Sequence, residues 1–352
     1  MEKHEQEMLR ERLQPLGDGM SRDNCLLLRD EFPSALRSLV SPSEFQWLRR
    51  CAASRVAPRG QSALQRLQQS SVARISTGLE ALDSLFEGSR VDGSVAGQEL
   101  LQLLGCRDSG GVGGLPVGEV TELVGPSSSG KTQFCLWMAV QAALQAVGCC
   151  FVDTTNSCSP ERLGTMAMGA QSGNESQALA LLSSIQIHRA FTLPDLLQML
   201  AHVQAHVPAG GLLVVDSLSA VVSPVLGGKM GTGNQYLTVA GRALKQLATK
   251  KPCAVLVTNH TVSSDVEGHV KAALGDLWAS VPHNQLVFSR REMQQHSSAE
   301  EGGDKDECSG DEEDVRGDGV RLVARLTRSC HGAPPPEAQV SFQITSTGLS
   351  VE

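Results

Sequence analysis

The central part of the chain alternates short apolar runs with longer stretches typical of helices. From Gly118 onward, the apolar runs with the length of β-strands are 120–124, 149–153, 185–188, 212–216 and 253–258. The helical stretches between them lie at about 131–147, 160–169, 193–206 and 235–250. This rhythm predicts an α/β fold in which a mostly parallel sheet is flanked by helices on both faces.

Three later runs alternate apolar and polar residues with a period of two, which is typical of half-buried strands. They are Gln285–Ser289, Val320–Leu326 and Gln339–Ile344. We expect all three to be antiparallel additions at the C-terminal edge of the sheet.

The rest of the chain divides by composition. Residues 1–71 have weak helical periodicity, interrupted by several prolines, and predict a small helical N-terminal region with a linker. Residues 72–352 are then one core with two inserted loops. The first insert, at about 88–113, is rich in Gly, Ser and Asp, and the second, at about 292–318, is strongly acidic.

Composition narrows the possible functions. A hydrophobic fraction of 41% excludes disorder along the whole chain. Only 8 Phe, 3 Trp and 1 Tyr are present, so the core must be aliphatic and few rings are available to stack on bases. The net charge is −8, but the acidic insert holds 11 acidic against two basic residues, so the remainder is nearly neutral. Any nucleic-acid contact must therefore be local.

Nothing in the sequence indicates a membrane or an export signal. Residues 1–14 are mostly charged or polar, and no apolar run reaches the ~18 residues of a spanning helix. The ten cysteines are scattered, and no CxxC motif or Cys/His cluster indicates a zinc site. We expect reduced, buried thiols in an intracellular protein that has no membrane partner.

A phosphate-binding motif follows the first strand of the alternating region. The eight residues fit G-x-x-x-x-G-K-[ST] and are Gly125, Pro126, Ser127, Ser128, Ser129, Gly130, Lys131 and Thr132. Small residues let backbone N–H groups approach a triphosphate, and the next helix directs its positive end at the same anion. Lys131 is expected to neutralise the β- and γ-phosphates, and the Thr132 hydroxyl to ligate Mg²⁺.

A carboxylate is available to orient that metal ion. Asp216 ends the apolar strand 212–216, and the carboxyl ends of parallel strands meet at one edge of a sheet. We therefore expect Asp216 beside the phosphate loop, where it would hold Mg²⁺ and its waters together with Thr132. Lys131 and Asp216 are the candidate catalytic residues.

Further segments resemble the RecA-type recombinase family of eukaryotes and archaea, and within it the paralogues of the strand-exchange recombinase. The resemblance covers residues 75–290 well and the last strands moderately. The segments that carry it, besides the phosphate loop, are Ile75–Gly78, Gly114–Glu122, Val214–Gly228, Val257–His260 and Lys271–Trp278. It implies a RecA-like P-loop NTPase core that uses ATP and Mg²⁺.

The resemblance also implies a cellular role. Family paralogues act in homologous recombination repair of double-strand breaks and stalled forks, in the nucleus, with a link to telomere maintenance. The implied partners are other recombinase paralogues in a heteromeric complex, single-stranded and branched DNA, and the filament of the main recombinase.

Individual positions match family residues. Arg162 matches an arginine that packs near the adenine, and Asn259 with His260 matches the γ-phosphate sensor at the start of the second DNA loop. The first DNA loop would lie around residues 224–235. The residues in or near these loops that could contact DNA are Lys229, His260 and Lys271. We expect weak, salt-sensitive and sequence-independent binding to single strands.

One departure from the family pattern concerns catalysis. Active recombinases carry a glutamate, which polarises the attacking water, shortly after the second core strand. Here Thr155 occupies that position, and a threonine cannot act as a general base at neutral pH. Asp153 is the nearest carboxylate. We expect nucleotide binding with at most weak, DNA-stimulated hydrolysis, so that ATP acts mainly as a structural clamp.

A second departure from the family pattern concerns self-assembly. Filament-forming members dock an aromatic-x-x-Ala motif on the next subunit, but Phe32–Ala35 lies too far upstream of the core, so a closed hetero-complex is favoured.

An active motor would need a substitute for Thr155. A small-molecule kinase would need an Arg-rich lid, which the sequence lacks. A scaffold whose nucleotide site is not needed for assembly is the main alternative.

Overall fold

The computed structural model describes residues 41–46, 73–87, 113–226, 232–263, 270–290 and 320–351. The chain divides into two compact units, Met1–Leu67 and Gln68–Glu352. In the first unit the described residues include a helical turn at 42–46. Its start is capped because the Glu44 amide donates to the Ser41 hydroxyl, and the Ser41 amide donates to Glu44 Oε2 at 2.7 Å. Both predicted inserts fall almost entirely outside the described residues.

The second unit alternates strands and helices, as the apolar pattern predicts. Its strands are β1 (Arg74–Ile75), β2 (Leu115–Pro116), β3 (Val120–Gly125), β4 (Cys149–Asp153), β5 (Ile185–Arg189), β6 (Leu212–Asp216), β7 (Ala254–Ser263), β8 (Val270–Ala272), β9 (Asn284–Arg290), β10 (Val320–Arg328), β11 (Gln339–Ile344) and β12 (Leu349–Val351). Its helices are α1 (Glu80–Glu87), α2 (Lys131–Leu144), α3 (Pro160–Ala170), α4 (Glu175–Ser183), α5 (Leu193–His206), α6 (Leu218–Val222), α7 (Thr232–Lys250) and α8 (Gly275–Ala279).

Ten of these strands form one sheet. Its order is β12-β11-β10-β9-β3-β7-β6-β4-β5, and β8 pairs with β7 off this path. The six strands from β9 to β5 are parallel to one another, whereas β10, β11 and β12 are antiparallel to their neighbours. The short strands β1 and β2 form a separate antiparallel pair.

The direction of β9 differs from the expectation. We expected an antiparallel strand, but β9 runs parallel to β3, with Leu286 opposite Leu123. The period-two pattern is present because alternate residues of β9 are buried. That pattern reports which face of a strand is buried and carries no information about its direction. The connection through β8 and α8 returns the chain to the edge where β3 begins, so β9 runs the same way.

Helices cover both faces of the sheet, and successive strand residues enter opposite cores. On β6, Leu212 and Val214 join the core under α1, α2 and α3, whereas Leu213 and Val215 join the core under α5 and α7. Strands that are buried on both faces are apolar at most positions. This explains why the sequence shows continuous apolar runs, rather than alternation, in the central strands.

The structure also contains a helix that the sequence analysis missed. Helix α4 has a short apolar pattern, and its start is fixed by Asn174, whose side chain accepts a hydrogen bond from the Gln177 amide at 3.2 Å. Among the described residues, no helix has the length and apolar character needed to cross a membrane.

A cluster of aromatic rings links the antiparallel edge to the helix after the phosphate loop. The Phe288 ring on β9 lies 5.4 Å from that of Phe134 on α2 and 5.7 Å from that of Phe342 on β11, and all three are fully buried. Such tilted pairs add to the free energy gained by burial. The cluster therefore holds β9 and β11 against α2.

We predict that Phe288→Ala lowers the free energy of unfolding by about 3–5 kcal/mol, because it leaves a cavity among three packed elements. Leu277→Ala is the matched control, since Leu277 is 48% exposed, and it should cost less than about 0.5 kcal/mol. Urea denaturation followed by circular dichroism measures both values. Equal costs for the two variants would contradict this account of the core.

Candidate functional site

The phosphate loop lies at the edge of the sheet where β3, β4, β6 and β7 all end. Gly125 ends β3, and Lys131 begins α2. Close contacts explain the two glycines that the motif fixes. A Cβ on Gly125 would lie 2.5 Å from the Phe288 carbonyl oxygen, and one on Gly130 would lie 2.2 Å from Leu322 Cδ1. Gly130 also has φ +87°, which favours glycine.

The Lys131 ammonium group lies inside the loop. Its Nζ donates to the carbonyl oxygens of Gly125 at 2.9 Å and Pro126 at 2.7 Å. Burial lowers the pKa of Lys131, and the nearby Asp216 carboxylate opposes that shift. The loop thus holds a poorly hydrated cation next to its own backbone N–H groups, an arrangement that suits a polyphosphate.

Asp216 is tied to two other elements by threonine hydroxyls. Thr132 Oγ1 on α2 donates to Asp216 Oδ2 at 2.7 Å, and Thr258 Oγ1 on β7 donates to Asp216 Oδ1. The carboxylate is only 3% exposed. A hydroxyl beside a carboxylate offers the hard oxygen ligands that Mg²⁺ takes, with the remaining positions left for water and phosphate. Thr132 and Asp216 therefore fit the metal role expected of them.

These residues line one pocket of about 410 Å³, a size within the usual range for small-molecule sites. It brings together the predicted residues Ser127 to Thr132 and Asp216. Gly125 and Pro126 contribute through their carbonyl contacts with Lys131. The lining residues that the sequence analysis did not single out are Gln133, Ser157, Ser217, Arg290, Val320 and Ile344.

The structure separates the two candidates for the phosphate sensor. His260 lines the pocket, with Nε2 at 3.4 Å from Ser217 Oγ. Burial and the nearby Lys131 lower the pKa of His260, which favours the neutral ring. Asn259 points to the opposite side of β7, where its Nδ2 donates to Glu122 Oε1 at 2.8 Å. Because side chains alternate along a strand, only one of the two neighbours can face the pocket, and it is His260 rather than Asn259.

Glu122, the partner of Asn259, is a fully buried acceptor for three side chains. Besides Asn259, Trp278 Nε1 donates to Oε1 at 2.7 Å and Gln285 Nε2 donates to Oε2 at 2.8 Å. The contact connects β3 with β7, α8 and β9. Trp278 is only 1% exposed, so it is a core residue and not a platform for stacking bases.

The position after β4 holds Thr155, which lines the pocket and lies 2.7 Å from Ser157 through the two hydroxyl oxygens. Asp153 is engaged elsewhere. Its carboxylate accepts the amides of Thr155, Ser157 and Cys158 at 3.1–3.2 Å and so shapes the loop after β4. Among the described residues that line the pocket, Asp216 is the only carboxylate.

Arg162 lies beside the start of α2. Its Nε donates to Gln133 Oε1 at 2.8 Å, and its two terminal nitrogens donate to the carbonyl oxygens of Thr345, at 2.7 Å, and Ser346. Burial lowers the pKa of Arg162. These bonds hold the turn after β11 next to the phosphate-loop helix, although Arg162 does not line the pocket itself.

Arg290 is a cation that the sequence analysis missed. It ends β9, lines the pocket, and donates from Nε to the Ser128 carbonyl oxygen at 2.8 Å. Only the strand order reveals it, because β9 runs parallel to β3 and therefore ends at the same edge.

Of the three candidate DNA residues, the structure describes His260 and Lys271, which lie on the paired strands β7 and β8. Lys271 on β8 is exposed and pairs with Asp276 at 3.1 Å. His260 lines the pocket beside the phosphate loop, which we call the phosphate pocket. Lys229 lies outside the described residues.

Comparison with known proteins identifies relatives of this chain. The family model described as Rad51 matches residues 98–289. Among curated proteins, DNA repair protein RAD51 homolog 4 of Bos taurus is 33% identical over 230 residues, which cover 62% of each chain, and that of Mus musculus is 33% identical over 231 residues. RAD51 homolog 2 of Homo sapiens is 28% identical over 215 residues. The chain thus spans about 62% of the length of the first two relatives.

The fold has a solved counterpart. The structure entitled crystal structure of the RadB recombinase superposes with a TM-score of 0.55, at 22% identity, and covers 79% of this chain and 100% of that one. This likeness confirms the predicted RecA-type α/β core with antiparallel strands at its C-terminal edge.

We predict that Thr132→Val weakens nucleotide binding about tenfold when Mg²⁺ is present, because it removes the hydroxyl oxygen that would ligate the metal ion beside Asp216. In EDTA the variant and the parent chain should bind equally. Fluorescent ATP analogues measure both affinities.

The control for this experiment is Thr249→Val, whose exposed hydroxyl bonds only to carbonyl groups of its own helix. It should leave both affinities unchanged. A loss for Thr132→Val that is the same with and without Mg²⁺ would contradict the metal role.

Proposed function

The chain belongs to the Rad51 family, and on that premise we propose that it is an ATP-binding recombinase paralogue in homologous recombination repair of DNA. We propose that it works as a subunit of a heteromeric complex of paralogues. One observation carries the proposal: Lys131, Asp216 and Thr155 line one pocket, and Thr155 occupies the position where the family pattern has a glutamate. Such a site suits binding and assembly better than rapid turnover.

The residues present fit ATP with Mg²⁺. Lys131 and the loop amides would hold the β- and γ-phosphates, and Thr132 with Asp216 would hold the metal ion. The metal ion would neutralise charge on the phosphates. Among the described residues, His260 and Arg290 also line this pocket, so both side chains can contact and stabilise the terminal phosphate.

Hydrolysis should be slow for a structural reason. A general base must reach the attacking water, and Asp153 is held by three amides of its own loop. Asp216 is bonded by two threonines and positioned for the metal ion. The described pocket therefore offers electrostatic stabilisation without proton abstraction, and we propose at most a weak DNA-stimulated ATPase.

We predict that Thr155→Glu increases the ATP hydrolysis rate of the purified chain, because it places a carboxylate at the mouth of the pocket. Positioned general bases contribute about 10²–10⁴-fold, and an introduced base should recover part of that, about tenfold. Thr155→Gln is the matched control, with similar size and no base, and it should leave the slow rate unchanged. Rapid turnover by the unaltered chain would refute the proposed clamp role.

The edge of the sheet offers a docking place for another subunit. β5 is a terminal strand of the described sheet, and Ile187 on it is 38% exposed and Phe191 just after it 55% exposed. A terminal strand presents unpaired backbone groups that another chain can extend, and exposed apolar side chains then add specificity. We propose that a neighbouring paralogue docks along β5.

We predict that Phe191→Asp disrupts co-purification with recombinase paralogues, because it places a charge in an apolar contact. Val351→Asp is the control, since Val351 is 40% exposed on β12, the opposite terminal strand. Retained assembly of Phe191→Asp, or equal loss in both variants, would contradict docking at β5.

The same assay, run with and without ATP and Mg²⁺ and with Lys131→Ala, tests the clamp. Assembly that depends on nucleotide and Lys131 supports it. Assembly that is indifferent to both favours the alternative of a scaffold whose nucleotide site is not needed.

DNA contact and location complete the proposal. Among the described residues of the predicted DNA loops, Lys271 is already paired with Asp276, so the chain alone should bind single-stranded or branched DNA weakly and lose that binding as salt rises. Within a complex it would assist the filament of the main recombinase. This role places it in the nucleus, and a part in telomere maintenance would follow from the same activity.

A further inference from the structure

A second cluster of chemically active side chains lies at the edge of the sheet opposite to the phosphate pocket. Glu119 directly precedes β3, and Cys330 and His331 form part of the turn between β10 and β11. β9 lies between β3 and β10 and is antiparallel to β10. The end of β10 therefore comes to the edge where β3 begins, which brings together residues that are 212 positions apart.

The side chains of this cluster converge on one point. One ligand atom each from Glu119, Cys330 and His331 lies within 4.8 Å of the other two. His331 Nε2 is 2.6 Å from Glu119 Oε1. The turn that presents His331 is itself fixed, because the His331 amide donates to Ser329 Oγ at 3.2 Å.

We propose that Glu119, Cys330 and His331 bind a zinc ion. A thiolate, an imidazole and a carboxylate together are the ligand set of zinc rather than of Mg²⁺ or Ca²⁺, which take oxygen ligands. Zinc bonds of about 2.0–2.3 Å place ligand atoms roughly 3.3–3.8 Å apart in a tetrahedron. The His331–Glu119 pair needs to open by less than about 1 Å, and the Cys330 sulfur, which lies within 4.8 Å of both atoms, needs to approach by at most about 1.5 Å. A water molecule would take the fourth position.

Hydrogen bonds from neighbouring residues fix the surroundings of the proposed ligands. Asn284, fully buried at the start of β9, donates from Nδ2 to Glu119 Oε2 at 2.7 Å, which leaves Oε1 for the metal ion. His283 is close but not a ligand, because its Nδ1 accepts the Val120 amide at 2.9 Å. Arg74, Lys245 and Arg328 are nearby cations. The Glu119 carboxylate and the Cys330 thiolate would together balance the charge of the zinc ion beside these cations.

Cys330 is distinctive among the cysteines. Of the six cysteines that the structure describes, the other five are buried, and Cys330 alone is exposed. The bound zinc ion would tie the start of β3 to the β10–β11 turn across β9. We expected no zinc site because the sequence has no CxxC motif. The proposed site has no such motif because its third ligand, Glu119, is distant in sequence from Cys330 and His331.

Metal titration of the purified full chain tests this inference. We expect one zinc ion per chain after dialysis against Zn²⁺. With Co²⁺ as the probe, we expect tetrahedral d–d absorption and a sulfur-to-cobalt charge-transfer band in the near ultraviolet. Cys330→Ser should abolish that band and weaken Zn²⁺ binding at least tenfold. It should still fold because Cys330 is exposed.

Two further variants separate direct ligation from general destabilisation. His331→Gln should also lose the metal ion, whereas the double variant His296→Ala and Cys308→Ser, a His and a Cys outside the described residues, should keep it. Zn²⁺ should raise the melting temperature of the parent chain but not that of Cys330→Ser. No zinc uptake by the parent chain, or a Co²⁺ spectrum unchanged in Cys330→Ser, would overturn the proposal.

Discussion

Burial of the Asp216 carboxylate is the constraint on which the phosphate pocket depends. A buried carboxylate is tolerated only when donors satisfy it, because removing the charge from water costs several kcal/mol. Thr132 and Thr258 provide those donors and belong to α2 and β7. The requirement to satisfy one charge therefore fixes the phosphate-loop helix and the neighbouring strand relative to β6, and with them the position of Lys131.

Three buried acids at or near the same edge have different roles because their donors differ. Asp216 meets two hydroxyls and remains beside the place for a metal ion. Asp153 meets three backbone amides and organises a loop. Glu122 meets side chains from three other elements and joins them in the core. The chemistry available to each carboxylate thus follows from its hydrogen-bond partners and not from its residue type.

The strand order gives the sheet two functional edges. At one edge the parallel strands end, and the phosphate pocket gathers residues from β3, β6, β7 and β9. At the other edge, where β3 begins, Glu119, Cys330 and His331 meet, and Asn284 donates a hydrogen bond to Glu119. The switch from parallel to antiparallel between β9 and β10 creates the second edge, because it brings the end of β10 beside the start of β3. β3 therefore runs from one site to the other.

The sequence by itself determined most of the strands and helices of the core and the phosphate-binding motif, since both depend on neighbouring residues. The apolar run of β6 with its terminal Asp216, and the loop from Gly125 to Thr132, are readable because their residues are neighbours in the chain. Tertiary structure decided what depends on direction and on face. The direction of β9, and with it the place of Arg290, follows from how the chain returns after α8. His260 rather than Asn259 lines the pocket because side chains alternate along β7, and the Asn259 side chain bonds to the buried Glu122. The meeting of Glu119 with His331 requires the complete sheet, because no periodicity in sequence relates residues 212 positions apart.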